Sequence, residues 1–215
     1  MGDPPDSRRA AAKHRSAPRW LTLEIVQDAG DWSQFGPAGG LAVAAGEALA
    51  RHERFKGTGP AQACIALSDD QTVRRLNRTY RGKDSATNVL SFPSRRPAGA
   101  RLGPVTGLGD IVLAEGTIAR EAAELGIAPA HHLQHLVIHG LLHLLGFDHG
   151  SQAEAEEMER LEVEILDGLG VASPYLAPRD GDRIATRPRA LKRASVPSPK
   201  LAHTLRHSRS RASGS

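Results

Sequence analysis

His139-Gly140-Leu141-Leu142-His143-Leu144-Leu145-Gly146-Phe147-Asp148-His149 is the stretch on which the reading of this chain turns. Two histidines four apart on a helix point the same way, because four residues at 3.6 per turn overshoot one turn by only about 40°. His139 and His143 can therefore grip one ion. Gly146 permits the left-handed backbone that ends a helix, and the chain can swing back to bring His149 to the same point as a third nitrogen ligand. Three protein ligands leave an open coordination position, the geometry of a catalytic rather than a structural zinc site. Three neutral imidazoles suit Zn²⁺, and Ni²⁺ or Cu²⁺ would also bind such nitrogens.

Upstream of the histidines, Pro129 suits the first turn of a helix, and Leu133, Leu136, Val137, Leu141, Leu144 and Leu145 continue an apolar stripe. Such a helix is central and largely buried. Downstream, Ser151-Gln152-Ala153-Glu154 is a capping box that starts a helix running to about Gly168, with Met158, Leu161 and Ile165 on one side. Its many glutamates read as a solvated face.

Further out, the spacing predicts strands at Leu21–Ile25, Ala61–Leu67, Asn88–Phe92 and Asp110–Leu113. Helices are expected from Pro37 to about Phe55, from about Asp69 to Tyr80 behind a second capping box at Ser68 and Gln71, and from Glu115 to Leu125. Arg81 to Ser85 and Ser94 to Pro104 read as loops. The expected fold is α+β: a single domain with a small mixed four-stranded sheet, about five helices, and the metal site at the end of a central helix.

The formal net charge of +4 is unevenly spread. Residues 1–19 hold five Lys+Arg against two acids, and residues 175–215 hold ten against two, leaving 13 against 20 in residues 20–174. Both ends lack periodicity and read as disordered basic tails around a domain at 20–174. Cys64, the only cysteine, excludes an intrachain disulfide and a cysteine-based zinc site, and reads as a small buried hydrophobe. No signal peptide follows the N-terminal arginines, and no apolar run reaches membrane-spanning length, so a soluble cytoplasmic protein is expected.

Six of the ten histidines fall between His131 and His149. A lone histidine on an apolar face is usually a satisfied core residue, but the i, i+4 spacing, the Gly146 turn and His149 together outweigh that reading for the triad. His135, also four from His139, is a rival; His131 and His132 read as ordinary surface or supporting contacts. The spacing His-x-x-x-His-x-x-Gly-x-x-His is that of the metzincin zinc proteases, which carry a glutamate base immediately after the first histidine. Here that position is Gly140, which cannot shuttle a proton. Eight basic residues, Arg74, Arg75, Arg78, Arg81, Lys83, Arg95, Arg96 and Arg101, concentrate within 28 positions of an otherwise acidic domain, as in phosphate-binding surfaces.

Residues Leu76 to Pro93, then Leu108-Gly109-Asp110-Ile111, then the histidine stretch closely resemble the YbeY family of bacterial endoribonucleases in order and spacing. Ala86 departs from the proline usual in that family. The resemblance covers roughly residues 20–170 and implies zinc-dependent cleavage of single-stranded RNA. It further implies maturation of the 3′ end of small-subunit (16S) ribosomal RNA and a part in ribosome quality control, with the small subunit as a candidate partner. By the same resemblance His139, His143 and His149 are the expected zinc ligands and Arg81 the functional arginine. Arg81 and His139 are then the expected catalytic residues, with Lys83 beside Arg81 on the phosphate. A metal-dependent hydrolase of peptides or small molecules, and a non-catalytic zinc-containing assembly factor, are the competing readings.

Overall fold

The computed structural model describes residues 20–94 and 105–172. The tails expected at 1–19 and 175–215, most of the loop expected at 94–104, and Arg95, Arg96 and Arg101 lie outside them. The strands are β1 (Leu21–Gln27), β2 (Ala61–Ser68), β3 (Val89–Pro93) and β4 (Thr106–Ala114). The helices are α1 (Ala38–Arg51), α2 (Asp70–Arg81), α3 (Glu115–Leu125), α4 (Pro129–Leu144) and α5 (Gln152–Asp167). This is the α+β architecture with a mixed four-stranded sheet that the sequence predicts.

Strand order is β1-β2-β4-β3, with β1, β2 and β4 parallel and β3 antiparallel to β4. β2 is interior and covered on both faces, which is why it reads as an almost unbroken apolar run, with Cys64 8% exposed within it. Alternation sends Ala63, Ile65, Leu67, Ile111 and Leu113 into the main core with α1, α3, α4 and α5. The opposite parity, Ala66, Leu90, Phe92, Val112 and Ala114, packs with Val73 and Leu76 of α2. α2 and α4 therefore lie on opposite faces of the sheet.

Several boundaries shift for physical reasons. The first long helix stops at Arg51 rather than near Phe55, because His52 is extended (φ −65°, ψ 140°) and a 3-10 turn at Glu53–Phe55 follows. That break turns Phe55 inward against Trp20 and Phe147. The capping box expected at Ser68 does not form: Ser68 stays in the ladder opposite Ala114, and Asp69 caps α2 by accepting from the Thr72 amide at 2.7 Å. The box at Ser151 and Glu154 forms in full.

α4 is the hub. Of its 16 residues 12 are buried, and it packs on α1, α3, α5, β3 and β4. Gly140 brings it tight onto the sheet, since a Cβ there would lie 2.9 Å from Ile111 Cδ1 and 3.1 Å from its Cγ2.

Candidate metal centre

α4 carries His139 and His143 on its sheltered side, and its C-terminus delivers the third histidine. Leu145 ends the helix, and Gly146 takes φ +99°, a conformation costly for any residue with a Cβ. The Gly146 amide donates to the His143 carbonyl and the Phe147 amide to the Leu142 carbonyl, both at 3.1 Å, which is the Schellman pair of bonds. Phe147 is held from outside by an edge-on contact with Phe55 and by the Arg54 guanidinium 5.7 Å from its ring centroid. Asp148 accepts from the His149 amide at 2.9 Å, a contact that stabilises the turn.

The three rings converge. His149 stacks on His139 with centroids 5.3 Å apart and meets His143 edge-on at 5.2 Å, and the three ligand nitrogens lie within 4.8 Å of one another. Their protonation follows from what the other ring nitrogens face. His139 Nδ1 is 2.7 Å from Glu162 Oε1, and His143 Nδ1 is 3.0 Å from the Phe147 carbonyl oxygen. Both acceptors demand an N–H, so both Nδ1 atoms are donors and each Nε2 carries a lone pair. Those Nε2 atoms face each other at 3.1 Å. Two lone pairs at that distance repel unless something positive lies between them. Two ligands of a tetrahedral zinc ion stand about 3.3 Å apart, given Zn–N bonds of about 2.0–2.1 Å. The donor set fits a metal ion.

Charge states agree with the geometry. Burial, and then the neighbouring His139 and His149, push the His143 pKa down to about 4. Burial also lowers that of His139, against the pull of Glu162. Both rings are neutral near pH 7, the form that binds metal.

Glu162 corrects the reading of the α5 glutamates as a wholly solvated face. It is 0% exposed and accepts from His139 Nδ1 and, at 3.1 Å, from His135 Nε2. Burial pushes its carboxyl upward, but the bonds from His135 and His139 outweigh this and hold it well below the usual carboxylate range. The signal was in the helical period: Glu162 is four after Met158 and three before Ile165, squarely on the apolar stripe. His135 is thus a partner of the acid that holds His139. His132 is buried too, paired with Glu121 at 3.0 Å, whereas His131 is exposed.

Arg81 ends α2, and burial lowers its guanidinium pKa. Its helix and the histidine helix lie against opposite faces of β3: Ser91 Oγ donates to the Gly140 carbonyl at 3.5 Å, and the next residue, Phe92, meets Tyr80 edge-on at 5.3 Å. Of the basic cluster, Arg74 is engaged with Asp84 through two bonds of 2.8 and 2.9 Å, while Arg75, Arg78 and Lys83 are exposed.

Fold and site together define an α+β protein with a three-nitrogen, metal-competent centre at the end of its buried helix. The family model described as Endoribonuclease YbeY matches residues 42–170. Proteins named Endoribonuclease YbeY are similar to this chain along most of their length. The one from Parvibaculum lavamentivorans is 44% identical over 181 residues, 81% of this chain and 95% of that protein. The one from Azorhizobium caulinodans is 46% identical over 162 residues, 75% and 100% respectively. The one from Rhodopseudomonas palustris is 42% identical over 174 residues, 81% and 90%. The chain belongs to the YbeY family.

Proposed function

We propose that this protein is a zinc-dependent endoribonuclease that cuts single-stranded RNA during processing of small-subunit ribosomal RNA. Residues 20–174 form the domain that carries the activity. The observation behind this reading is the pair of Nε2 atoms 3.1 Å apart, with an acceptor oxygen against each Nδ1 and His149 completing the group, in a member of an endoribonuclease family. His139, His143 and His149 hold the ion. When bound, zinc supplies Lewis acidity, polarising a phosphoryl oxygen and acidifying a water.

The chain's own groups do the rest. The Phe147 carbonyl and the Glu162 carboxylate keep both helix histidines in the metal-binding tautomer. Arg81, partly desolvated and unable to lose its proton, clamps the scissile phosphate and offsets the charge that builds in the transition state, with Lys83 adjacent. The peptidase alternative loses ground on geometry as well as on chemistry. Position 140 faces Ile111, so a base placed there would point into the sheet. No helix among the described residues is long and apolar enough to cross a membrane, which suits an enzyme working on ribosomal precursors in the cytoplasm.

The test is cleavage of a ribosomal precursor RNA by wild type, His139→Ala and Arg81→Ala, each assayed for zinc content and folding. His139→Ala should lose both zinc and cleavage. Arg81→Ala should keep its zinc and lose about 10²–10³ in rate, the usual cost of removing one transition-state donor. Wild-type rates in Arg81→Ala would remove that residue from the mechanism, and cleavage that survives chelation would remove the metal.

A further inference from the structure

A carboxylate with no solvent exposure, set among Met158, Leu161 and Ile165, carries a large desolvation penalty that ordinary packing does not explain. Glu162 spans two rings of the neighbouring helix, Oε1 on His139 and Oε2 on His135, which are themselves four residues apart on α4. The contact on the far side of His139 shows what that arrangement prevents. Were His139 to carry its proton on Nε2, it would donate across 3.1 Å to His143 Nε2, and two of the three ligands would satisfy each other. That closed pair competes directly with an ion.

We propose that Glu162 is a positioning residue for the three-histidine centre: it locks His139 as the Nδ1–H tautomer, leaving Nε2 bare, while His135 braces the carboxylate from its other oxygen. The inference rests on His139, His143 and His149 being the metal ligands. It assigns Glu162 to the affinity of the centre for its ion, acting through His139 rather than touching substrate. His135, His139 and Glu162 also converge closely enough to suggest a second ion. The 2.7 Å separation is instead that of a charge-assisted hydrogen bond, and all three of these groups are buried, whereas His143 and His149 of the triad are partly exposed.

The experiment uses the full chain stripped of metal, with zinc alone as the probe, titrated against a chromophoric chelator. Folding is followed by circular dichroism, and ring-nitrogen NMR reports the His139 tautomer. Wild type should bind one zinc and, metal-free, show a proton on His139 Nδ1. Glu162→Gln keeps the shape, but its amide can accept from only one of the two rings and must donate to the other. It should fold, show a mixed His139 tautomer, and bind zinc 10- to 100-fold more weakly. Glu162→Gln that is folded and binds zinc as wild type does, while His143→Ala and His149→Ala lose it, would overturn the role of Glu162 and leave the metal centre standing. Wild-type zinc affinity in His143→Ala and His149→Ala would instead overturn the centre itself. Two zinc ions per chain would also overturn the positioning role. Should Glu162→Gln fail to fold, the wild-type spectrum decides: Nδ1–H at His139 supports the proposal, and Nε2–H overturns it.

Discussion

His143 is half-buried beside two other imidazoles, and its pKa of about 4 lies well below the ordinary histidine value of 6.5. In the metal-free protein the unfolded chain therefore takes up this proton at a higher pH than the native one does. The stability tied to the neutral ring is fully present above pH 6.5 and is lost as pH falls from 6.5 towards 4. The loss should be on the order of 2–3 kcal/mol, and urea melts of metal-free protein between pH 7 and pH 4.5 measure it. His143→Ala should flatten that slope, and an unchanged slope would discount the residue. At this scale the convergence of His139, His143 and His149 was legible because i, i+4 spacing and a glycine stop are local patterns. What decides their protonation was not: the Glu162 contact joins residues 23 apart, and the Phe147 carbonyl is backbone that no side-chain pattern marks. Only the place of Glu162 on the apolar stripe could have been noticed in advance.

Among the elements, α4 was the most readable and the most constrained. Its apolar stripe predicted a buried helix, but Gly140 drew attention only as a missing base. Packing gives it a second meaning, since any Cβ at 140 meets Ile111. Gly140→Ala gains about 1 kcal/mol of helix propensity against about 1–3 kcal/mol of overpacking, so a net loss of stability is expected. Ile111→Val in the same chain removes the nearest clashing carbon, and a double-mutant cycle by thermal melts should show recovery; additive losses would deny the contact. The two capping boxes teach the same lesson from the other side. Ser151 lies after a loop and is free to cap, whereas Ser68 is still held by strand pairing, so the cap passed to Asp69. Local chemistry nominates a cap, and the neighbouring strand decides which residue is available.

For the whole molecule, the fold class followed from the mix of periods, two for strands and 3.6 for helices. Strand order and the reversal of β3 did not, because they depend on pairings between distant segments such as Val89 with Leu113. β3 is an edge strand with Tyr80 of α2 against its Phe92 on one face and the Gly140 carbonyl of α4 within reach of its Ser91 on the other, a placement that could not be drawn from the motifs alone. The construction of the histidine centre also bears on how an ion would leave it. His139 and His143 sit on the most enclosed helix, but His149 lies on a short span between the Phe147 anchor and the Ser151 cap, with exposed glycines at 146 and 150. Amide hydrogen exchange should therefore be slowest in α4 and several orders of magnitude faster at 148–150. Ion exchange would then proceed through a brief two-ligand state as that span lifts, at a rate set by a local opening and not by global unfolding. A zinc off-rate that tracks the exchange of the 148–150 amides across temperature would show it, whereas one that tracks the α4 amides would place the escape route in the helix itself.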